Sequence, residues 1–537
     1  MRTWKIRLTA LVLLVCLLLG GCERWNGELP NYYTPDYIPF SEMEYSRPNM
    51  AVLDTAIQEV EERVNSGVGF SSVVSSINYF LTCYYEYYTN LNLANIHYCA
   101  DLTDTYWETE YYYCSELTPT VESKLDALYR FLAASSYREM LEGENYFGAG
   151  FFEYYDGESH WDNEFTSLME EEARLQNCYY ELSSQAQTVE YYSEEYFSQY
   201  GTQLAQLYVE LIAVRQQIAA YLGYDSYADF AYENYFYRDY TAQEAERYFR
   251  MIGTQLRDVY IQVNQSAVWD GGTGVCTEEE TFQYVKNAAE QMGDAVKYAF
   301  VMLEKGKLYD IAYGENKHDI SFEIYLDSYN QPFIFTNPAL QQGDKLVFAH
   351  EFGHFVNDYV CNGSYAGTDV CEVHSGAMEY LSLCYAENAE ALEKYKLADS
   401  LCVYVEQSAY ALFEQQVYEL TGDELTVENV QKLYEQIGTD FGFDSWVWDR
   451  RDYVTVPHLF TYPMYVASYV VSNDLAFQIY QMEKAEPGAG LAVYKDCLES
   501  QDSYIMHFAT TYGLEDPFTV QRVDAVRETF ENALLPE

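Results

Sequence analysis

Two histidines four residues apart, with a glutamate directly after the first, are the residues of this chain best suited to catalysis. His350, Glu351 and His354 form the pattern His-Glu-x-x-His within the stretch KLVFAHEFGHFVNDY. A helix turns by about 100° per residue, so on a helix both imidazoles leave from one face and can share a zinc ion. Glu351 then projects aside, where it can act on a metal-bound water. The alternative is a pair of buried structural histidines.

The residues around this motif predict a helix of about four turns. Asp344 can cap its start, and Asn362-Gly363 follow it as a stop signal. Gly353 is unusual there, because a glycine inside a helix costs about 1 kcal/mol relative to alanine. It indicates a close approach by another backbone or a ligand, or else a simple packing contact.

A catalytic zinc site needs a third protein ligand besides the open position for water. Glu372, at the start of a second predicted helix capped by Thr368 or Asp369, is the candidate. Glu379 lies on the same face of that helix and could accept the free N–H of a ligating imidazole. His374 points to the opposite side and is left out. The alternative for both acids is a solvated helix face.

A third cluster of polar-tipped aromatic residues lies near the C-terminus. It contains His458, Tyr462, Tyr465 and Tyr469. The His-Glu-x-x-His pattern is typical of metallopeptidases. Peptide hydrolysis creates an oxyanion beside the metal, which a neutral phenol or imidazole can stabilise. Tyrosine suits this role because its usual pKa is about 10. Spacing alone does not separate such a role from a structural one in a chain with 58 tyrosines.

Four segments together resemble the thimet-oligopeptidase-like zinc peptidases, particularly the oligoendopeptidase F branch. They are AHEFGHFVND, EVHSGAMEY, the cluster from His458 to Tyr469, and the upstream stretch AVRQQIAAYLGYDSYADFA. The resemblance implies a mainly α fold, a large helical zincin-type peptidase with a deep substrate channel and a small β element beside the active site. Such a channel would admit short peptides and exclude folded proteins.

The resemblance also implies roles for individual residues. His350, His354 and Glu372 would hold one Zn²⁺ ion, with Glu351 as the general base and Glu379 as an acid that orients a ligand.

Further roles follow from the same resemblance. His458 and Tyr469 would be transition-state donors, and Tyr462 a further substrate contact. The segment QPFIFTN, from Gln331 to Asn337, resembles the strand against which the family lays its substrate backbone. Its apolar, β-favouring character supports that reading independently, since an exposed strand edge pairs with extended peptides. His374 departs from the branch, which has a small residue there.

The expected activity is endopeptidase cleavage of oligopeptides by metal-activated water. Two alternatives stay open: an exopeptidase of the same fold that trims dipeptides or single residues, and an inactive lipid-anchored peptide-binding protein. The intact Glu351 counts against the second.

Residues 1–22 have the form of a bacterial lipoprotein signal peptide. Three cations precede an apolar run from Leu8 to Leu19, which ends in Leu-Gly-Gly-Cys. Lipidation of Cys22 would hold the protein at the extracellular face of a bacterial cell membrane. The alternative is an ordinary signal peptide and free secretion. Residues 23–50, which contain four prolines, are expected to form an extended tether.

The rest of the chain divides into an N-terminal helical region, 51–200, and a catalytic helical region, 201–537. The formal net charge of −55 argues against nucleic acid and anionic membrane surfaces as partners. It could steer cationic peptides to the enzyme, or serve only solubility or adaptation to salt.

Ten cysteines lie beyond Cys22, which allows up to five disulfides. Cys361 and Cys371 flank the loop between the two predicted zinc helices, so a bridge there would restrain the site. Zinc ligation by the Cys371 thiolate is disfavoured, because an oxidising exterior and the adjacent Glu372 both argue against it.

Overall fold

The computed structural model describes residues 37–535, apart from 144–145, 158, 160, 187–188, 190–191, 364–365, 445–447 and 501. The predicted signal peptide, its Cys22 and residues 23–36 of the predicted tether lie outside the described residues.

The described chain is mainly α-helical, as the sequence predicted. Many helices begin at side-chain caps; Thr277 and Glu280, for example, form a reciprocal capping box at the start of α12. Thirteen helices among the described residues precede the sheet: α1 Met50–Asn65, α2 Phe70–Ala100, α3 Thr105–Ala133, α4 Arg138–Leu141, α5 Asn163–Ala186, α6 Glu194–Tyr196, α7 Thr202–Tyr221, α8 Tyr227–Asn234, α9 Ala242–Gln255, α10 Arg257–Asn264, α11 Asp270–Thr273, α12 Glu278–Ala289 and α13 Asp294–Gly306.

The helices that follow the sheet carry most of the predicted site residues. They are α14 Asp344–Cys361, α15 Thr368–Cys384, α16 Glu390–Cys402, α17 Ser408–Val417, α18 Val427–Phe441, α19 Pro457–Thr461, α20 Val466–Ala485, α21 Ala489–Cys497, α22 Ile505–Thr511 and α23 Val520–Leu534. Helix α15 packs against both α14 and α20, so these three form the centre of this half of the chain.

A small sheet precedes α14 and packs on it. Its strands are β1 Tyr309–Asp310, β2 Ser321–Leu326 and β3 Gln331–Thr336, in the order β1-β3-β2. Strand β3 pairs in parallel with β1 and antiparallel with β2. Strands β2 and β3 both contact α14, so the sheet lies directly beside the His-Glu-x-x-His motif.

The segment Gln331–Asn337, predicted to offer an exposed edge to the substrate backbone, instead forms the central strand β3. All six residues of β3 are buried; one edge pairs with β2 along its whole length, and the other pairs with β1 at Ile334 and Phe335. The apolar character of QPFIFTN comes from its central position in the sheet. The outer edge of β2 pairs with no other strand of the described residues.

Residues 37–49 differ from the predicted tether, because they pack on the body of the protein. The backbone of Ile38 makes two hydrogen bonds with the side chain of Gln331, at 2.6 and 2.8 Å. The ring of Phe40 lies 4.2 Å from that of Phe333. Apolar residues between the prolines give this segment surface to bury, which composition alone did not reveal.

Tyrosine fills much of the interior. Tyr208, Tyr434 and Tyr453 are fully buried and their rings pack with Phe413 in one cluster. Within the described part of the chain, no helix combines the length and the apolar character needed to cross a lipid bilayer.

Candidate active site

Helices α14 and α15 approach each other unusually closely at Gly353. A Cβ atom at this position would lie 2.6 Å from the Cα of Ser375 and 2.9 Å from the carbonyl oxygen of His374. The close backbone approach predicted from this glycine is confirmed, and the approaching backbone is that of α15. The contact sets the distance between the motif on α14 and Glu372 on α15.

His350, His354 and Glu372 converge on one point. One potential ligand atom from each lies within 4.8 Å of the other two. The Nε2 atom of His350 is 3.3 Å from Glu372 Oε2, and that of His354 is 3.8 Å from Glu372 Oε1. The two imidazoles are 22% and 17% exposed, so the cluster is open on the histidine side.

The other ring nitrogen of His350 contacts Glu379, which in turn contacts Lys396. Its Nδ1 atom is 2.9 Å from Glu379 Oε1, which leaves Nε2 directed at Glu372. The second carboxylate oxygen of Glu379 is 2.7 Å from Lys396 Nζ, and Lys396 is only 3% exposed. Lys396, on α16, was not predicted, since nothing in a single sequence links it to Glu379.

Glu372 is ionised despite its burial. Burial opposes ionisation, but the hydrogen bond with His350, the neighbouring imidazoles and a hydrogen bond from Tyr465 outweigh it and lower the pKa of Glu372 to about 2. The Tyr465 hydroxyl donates to Glu372 Oε1 at 2.5 Å. Tyr465 belongs to the predicted aromatic cluster, yet sequence reasoning assigned it no role.

Glu351 lies between α14 and the outer edge of β2. It is 6% exposed, and burial raises its pKa to about 7. The backbone N–H of Glu323 donates a hydrogen bond to its carboxylate, which partly offsets burial by lowering the pKa. The carboxyl group is thus poised between its two protonation states near neutral pH, as a proton-transfer group requires.

His458 and Tyr469 form a hydrogen-bonded pair, and both rings pack beside that of Tyr465. The imidazole Nε2 lies 3.1 Å from the phenolic oxygen. Burial lowers the pKa of His458 to about 4 and raises that of Tyr469 well above its usual value. Both side chains are therefore neutral at physiological pH. The Tyr469 hydroxyl is close enough to Glu372 and Glu351 to feel their charges.

Tyr462 lies at the margin of this group. Its ring centroid is 6.5 Å from that of His458, and its hydroxyl interacts with Tyr180 on α5. It faces side chains of the N-terminal half of the protein. Tyr465 and Tyr469 lie instead beside Glu372 of the ligand cluster.

Two buried arginines and a buried glutamate hold the segment that runs from α19 to the start of α20 and carries these aromatic residues. Arg215 on α7 donates to the carbonyl of Leu459 at 3.1 Å and to that of Phe460. Arg238 donates to the carbonyl of Met464 at 2.9 Å, and Glu414 accepts the N–H of Met464 at 2.9 Å. Arg215 belongs to the upstream segment AVRQQIAAYLGYDSYADFA, whose place in the site the sequence did not explain.

The remaining local predictions have mixed outcomes. Gly343 and Gly367, not Asp344 and Thr368 or Asp369, are the N-cap residues of α14 and α15. Asp344 instead accepts backbone N–H groups of the preceding turn. Asn362 ends α14 in the left-handed conformation, as predicted.

The cysteines beside the site are not bridged. Cys361 and Cys371 are both free thiols, and they donate to the carbonyls of Leu498 and Ala366. Cys371 is absent from the ligand cluster found among the described residues. His374 is fully buried against Cys497 and Phe508, away from the ligands, as its position in the helix predicted.

The donor set fits a zinc ion. Two imidazole nitrogens and one carboxylate are a known ligand set of catalytic zinc, and a hydrogen bond from the second ring nitrogen to a carboxylate commonly orients such a ligand. The contact between His350 and Glu379 supplies that hydrogen bond.

Comparison with known proteins agrees with the fold. Residues 40–158 match the Peptidase M3 N-terminal domain. No curated protein matches the chain. The chain has the fold of oligoendopeptidase structures.

Three solved structures are similar to this chain over most of its length. A protein described as an oligoendopeptidase F has a TM-score of 0.79 at 20% identity, covering 93% of this chain and 98% of that one. PZ peptidase A with an inhibitor has a TM-score of 0.79 at 18% identity, covering 92% and 99%. A protein from Bacillus anthracis, also described as an oligoendopeptidase F, has a TM-score of 0.77 at 19% identity, covering 93% and 98%.

Proposed function

We propose that this protein is a zinc-dependent endopeptidase that hydrolyses short peptides. The observation that carries the proposal is the convergence of His350, His354 and Glu372 within 4.8 Å, with Glu351 directly beside them. The full-length likeness to peptidase structures and the match to the Peptidase M3 N-terminal domain support it.

His350, His354 and Glu372 would hold the ion. Bound zinc supplies Lewis acidity, which polarises the scissile carbonyl and makes a water molecule acidic enough to attack it. Glu351 takes the proton of the attacking water and later delivers it to the leaving amine. His458 and Tyr469, both neutral, donate hydrogen bonds to the oxyanion that develops.

The outer edge of β2 offers a binding line for the substrate backbone. The N–H of Ile334 donates to Leu308, on the β1 side, so the pair Glu323–Ile334 is not hydrogen-bonded across β2 and β3. By the alternation of an antiparallel ladder, the polar backbone groups of Ser321 and Glu323 face the outer edge. An extended peptide can pair there, beside Glu351.

A peptide digest tests this function. The purified protein is incubated with a mixed library of peptides blocked at both termini, with and without a chelator, and the cut positions are read by mass spectrometry. We expect internal cuts that the chelator abolishes and added zinc restores. Cleavage that resists the chelator would contradict a metallopeptidase. Trimming of a matched library with free termini, with no cut in the blocked library, would favour the exopeptidase. Glu351→Gln, prepared in the same way, controls for contaminating peptidases.

We also propose that the enzyme acts outside a bacterial cell, anchored through a lipidated Cys22. The signal-like residues 1–22 support this location. Metabolic labelling with a fatty acid should mark the wild-type protein and not Cys22→Ala. A freely secreted, unlabelled wild-type protein would contradict the anchor.

A further inference from the structure

A cavity of about 290 Å³ lies where the edge of the sheet meets the start of α14. Its walls include Ser321, the first residue of β2, and Val347, which precedes Glu351 by one helical turn and is 41% exposed. The cavity therefore lies at the end of the sheet where β2 begins, about one helical turn along α14 from Glu351.

The strand edge connects this cavity to the scissile bond. Ser321 precedes Glu323, whose N–H approaches Glu351, by two residues, which is about 6.7 Å along a strand. The backbone of Ser321 faces the outer edge, like that of Glu323. A peptide paired along β2 would thus bring a side chain to the cavity about two residues from the bond beside Glu351.

The cavity has apolar walls and an acidic rim. Ile311, Pro338 and Val347 contribute to the apolar surface, and Glu278, Asp319 and Asp344 contribute carboxylates. No lysine or arginine is among the residues that line it.

Two of these carboxylates already have backbone partners, and the third has none. Glu278 accepts the N–H of Tyr313 at 2.7 Å, and Asp344 accepts that of Gln341 at 2.8 Å. Asp319 has no hydrogen bond or ion pair to any other described residue. It is exposed at the rim of the cavity, and partial desolvation raises its pKa.

The lysine two residues before Asp319 does not neutralise it. Lys317 is 6% exposed, and its Nζ atom is bound to Asp310 at 2.9 Å and to the carbonyls of Ala312 and Thr336. Its charge is thus already compensated beneath the cavity wall.

We propose that this cavity is a specificity subsite for a lysine or arginine side chain of the substrate, about two residues from the scissile bond. The apolar walls fit the aliphatic stem of such a side chain, and the carboxylates at the rim, Asp319 above all, fit its charged tip. This inference rests on the proposed peptidase function, since it assumes a peptide on the edge of β2.

Binding to an inactive full-length variant tests the subsite without requiring turnover. Zinc-loaded Glu351→Gln is titrated with a blocked octapeptide in which one residue at a time is lysine or norleucine, which keeps the four-carbon stem and lacks the ammonium group. We expect one position at which lysine binds about tenfold more tightly than norleucine. Adding Asp319→Asn should reduce that ratio to about twofold or less, and Asp319→Lys should make glutamate preferred at the same position.

Glu315→Gln is the matched control. Glu315 is an exposed acid four residues before Asp319 and does not line the cavity. The overall negative charge favours lysine at every position and is reduced equally by both substitutions, whereas a subsite responds to Asp319→Asn alone. Equal ratios at all positions, or equal effects of the two variants, would overturn the proposal.

The same measurements separate this inference from the proposed function. If wild-type enzyme cleaves peptides in a zinc-dependent way but the inactive variant shows no positional preference, the subsite is wrong and the function stands. If the preference is present and responds to Asp319→Asn while the wild-type enzyme cleaves nothing, the subsite stands and the function fails.

Discussion

Two buried carboxylates beside each other in the candidate site have opposite pKa shifts. Burial raises the pKa of Glu351 to about 7, whereas hydrogen bonds and nearby imidazoles lower that of Glu372 to about 2 against the effect of burial. When the environments of two neighbouring carboxyl groups shift their pKa values in opposite directions, one group commonly transfers protons and the other stays ionised. Glu351 therefore fits the base, and Glu372 the ligand.

Replacing Glu351 by glutamine should separate these two roles. The amide of the substituted glutamine keeps the size of the side chain but cannot accept a proton, so we expect turnover to fall by about 10²- to 10⁴-fold. Zinc content, measured by mass spectrometry of the metal, should equal that of wild type. A Glu351→Gln enzyme with more than about a tenth of wild-type turnover would refute the base assignment.

Tyr465 should act on the metal and not directly on the reaction. Its hydroxyl donates to Glu372, so Tyr465→Phe leaves one ligand oxygen without that donor. Loss of such outer hydrogen bonds typically weakens metal affinity by about 10- to 100-fold. Competition with a chromophoric chelator measures the effect.

Tyr462→Phe is the control for Tyr465→Phe. Tyr462 interacts with Tyr180 and not with a ligand, so its variant should bind zinc as wild type does. Equal zinc affinity in the two variants would show that the Tyr465 hydrogen bond does not support the ligand.

At the scale of helices and strands, the site depends on how closely α14 and α15 pack. Gly353→Ala would place a methyl group 2.6 Å from the backbone of Ser375, so the helices must separate. We expect a loss of about 1–3 kcal/mol in the free energy of unfolding. Zinc binding should weaken as well, because Glu372 moves away from the two histidines. Denaturant titration and zinc affinity measure the two effects.

Gly376→Ala on α15 is a matched comparison. Its added methyl would meet the Ala476 side chain at 3.1 Å, a contact that a small shift can relieve. We expect a smaller loss of stability and unchanged zinc affinity. If Gly353→Ala behaved like Gly376→Ala, the close contact would not set the ligand geometry.

The sequence predicts those elements whose signals are local. The spacing of His350 and His354, the stop signal at Asn362 and the unusual glycine at 353 are each visible within one helical segment of the sequence. The segment from Gln331 to Asn337 is predicted to be a strand, and Gln331–Thr336 form one, but its place in the sheet depends on pairing with β1 and β2, which no local pattern encodes.

The residues that the sequence missed act over long separations. Lys396 pairs with Glu379, and Arg215 holds α19, the short helix that carries His458. These partners share no helical face or strand register, so only the packed structure brings them together. In a chain with 85 acidic residues, a single sequence also gives no reason to choose one partner for Lys396.

At the scale of the whole molecule, burial of acidic groups must make stability depend on pH. Glu414 is completely buried, and burial raises its pKa to about 8. One of its oxygens accepts the N–H of Met464, and the other has no partner. Glu414 therefore links the stability of the fold to the loop between α19 and α20.

The sign of this dependence follows from the two pKa values. In the unfolded chain a glutamate ionises at about pH 4.3, whereas folded Glu414 holds its proton up to about pH 8. The stabilisation that this raised pKa gives the folded state is fully present below about pH 4.3 and is lost as the pH rises through about 8. Glu414→Gln resembles the protonated side chain and lacks this loss. Its stability relative to wild type should therefore increase between about pH 5 and pH 8.5, by at most about 4 kcal/mol.

Denaturant unfolding of both proteins at these two pH values measures the difference. Glu419→Gln removes an exposed carboxylate two residues beyond α17 and serves as the control for the loss of one negative charge. If the difference between Glu414→Gln and wild type were independent of pH, Glu414 would have to be ionised in the folded protein. In that case Arg215 and Arg238, whose charges favour ionisation of Glu414, would outweigh the cost of its burial.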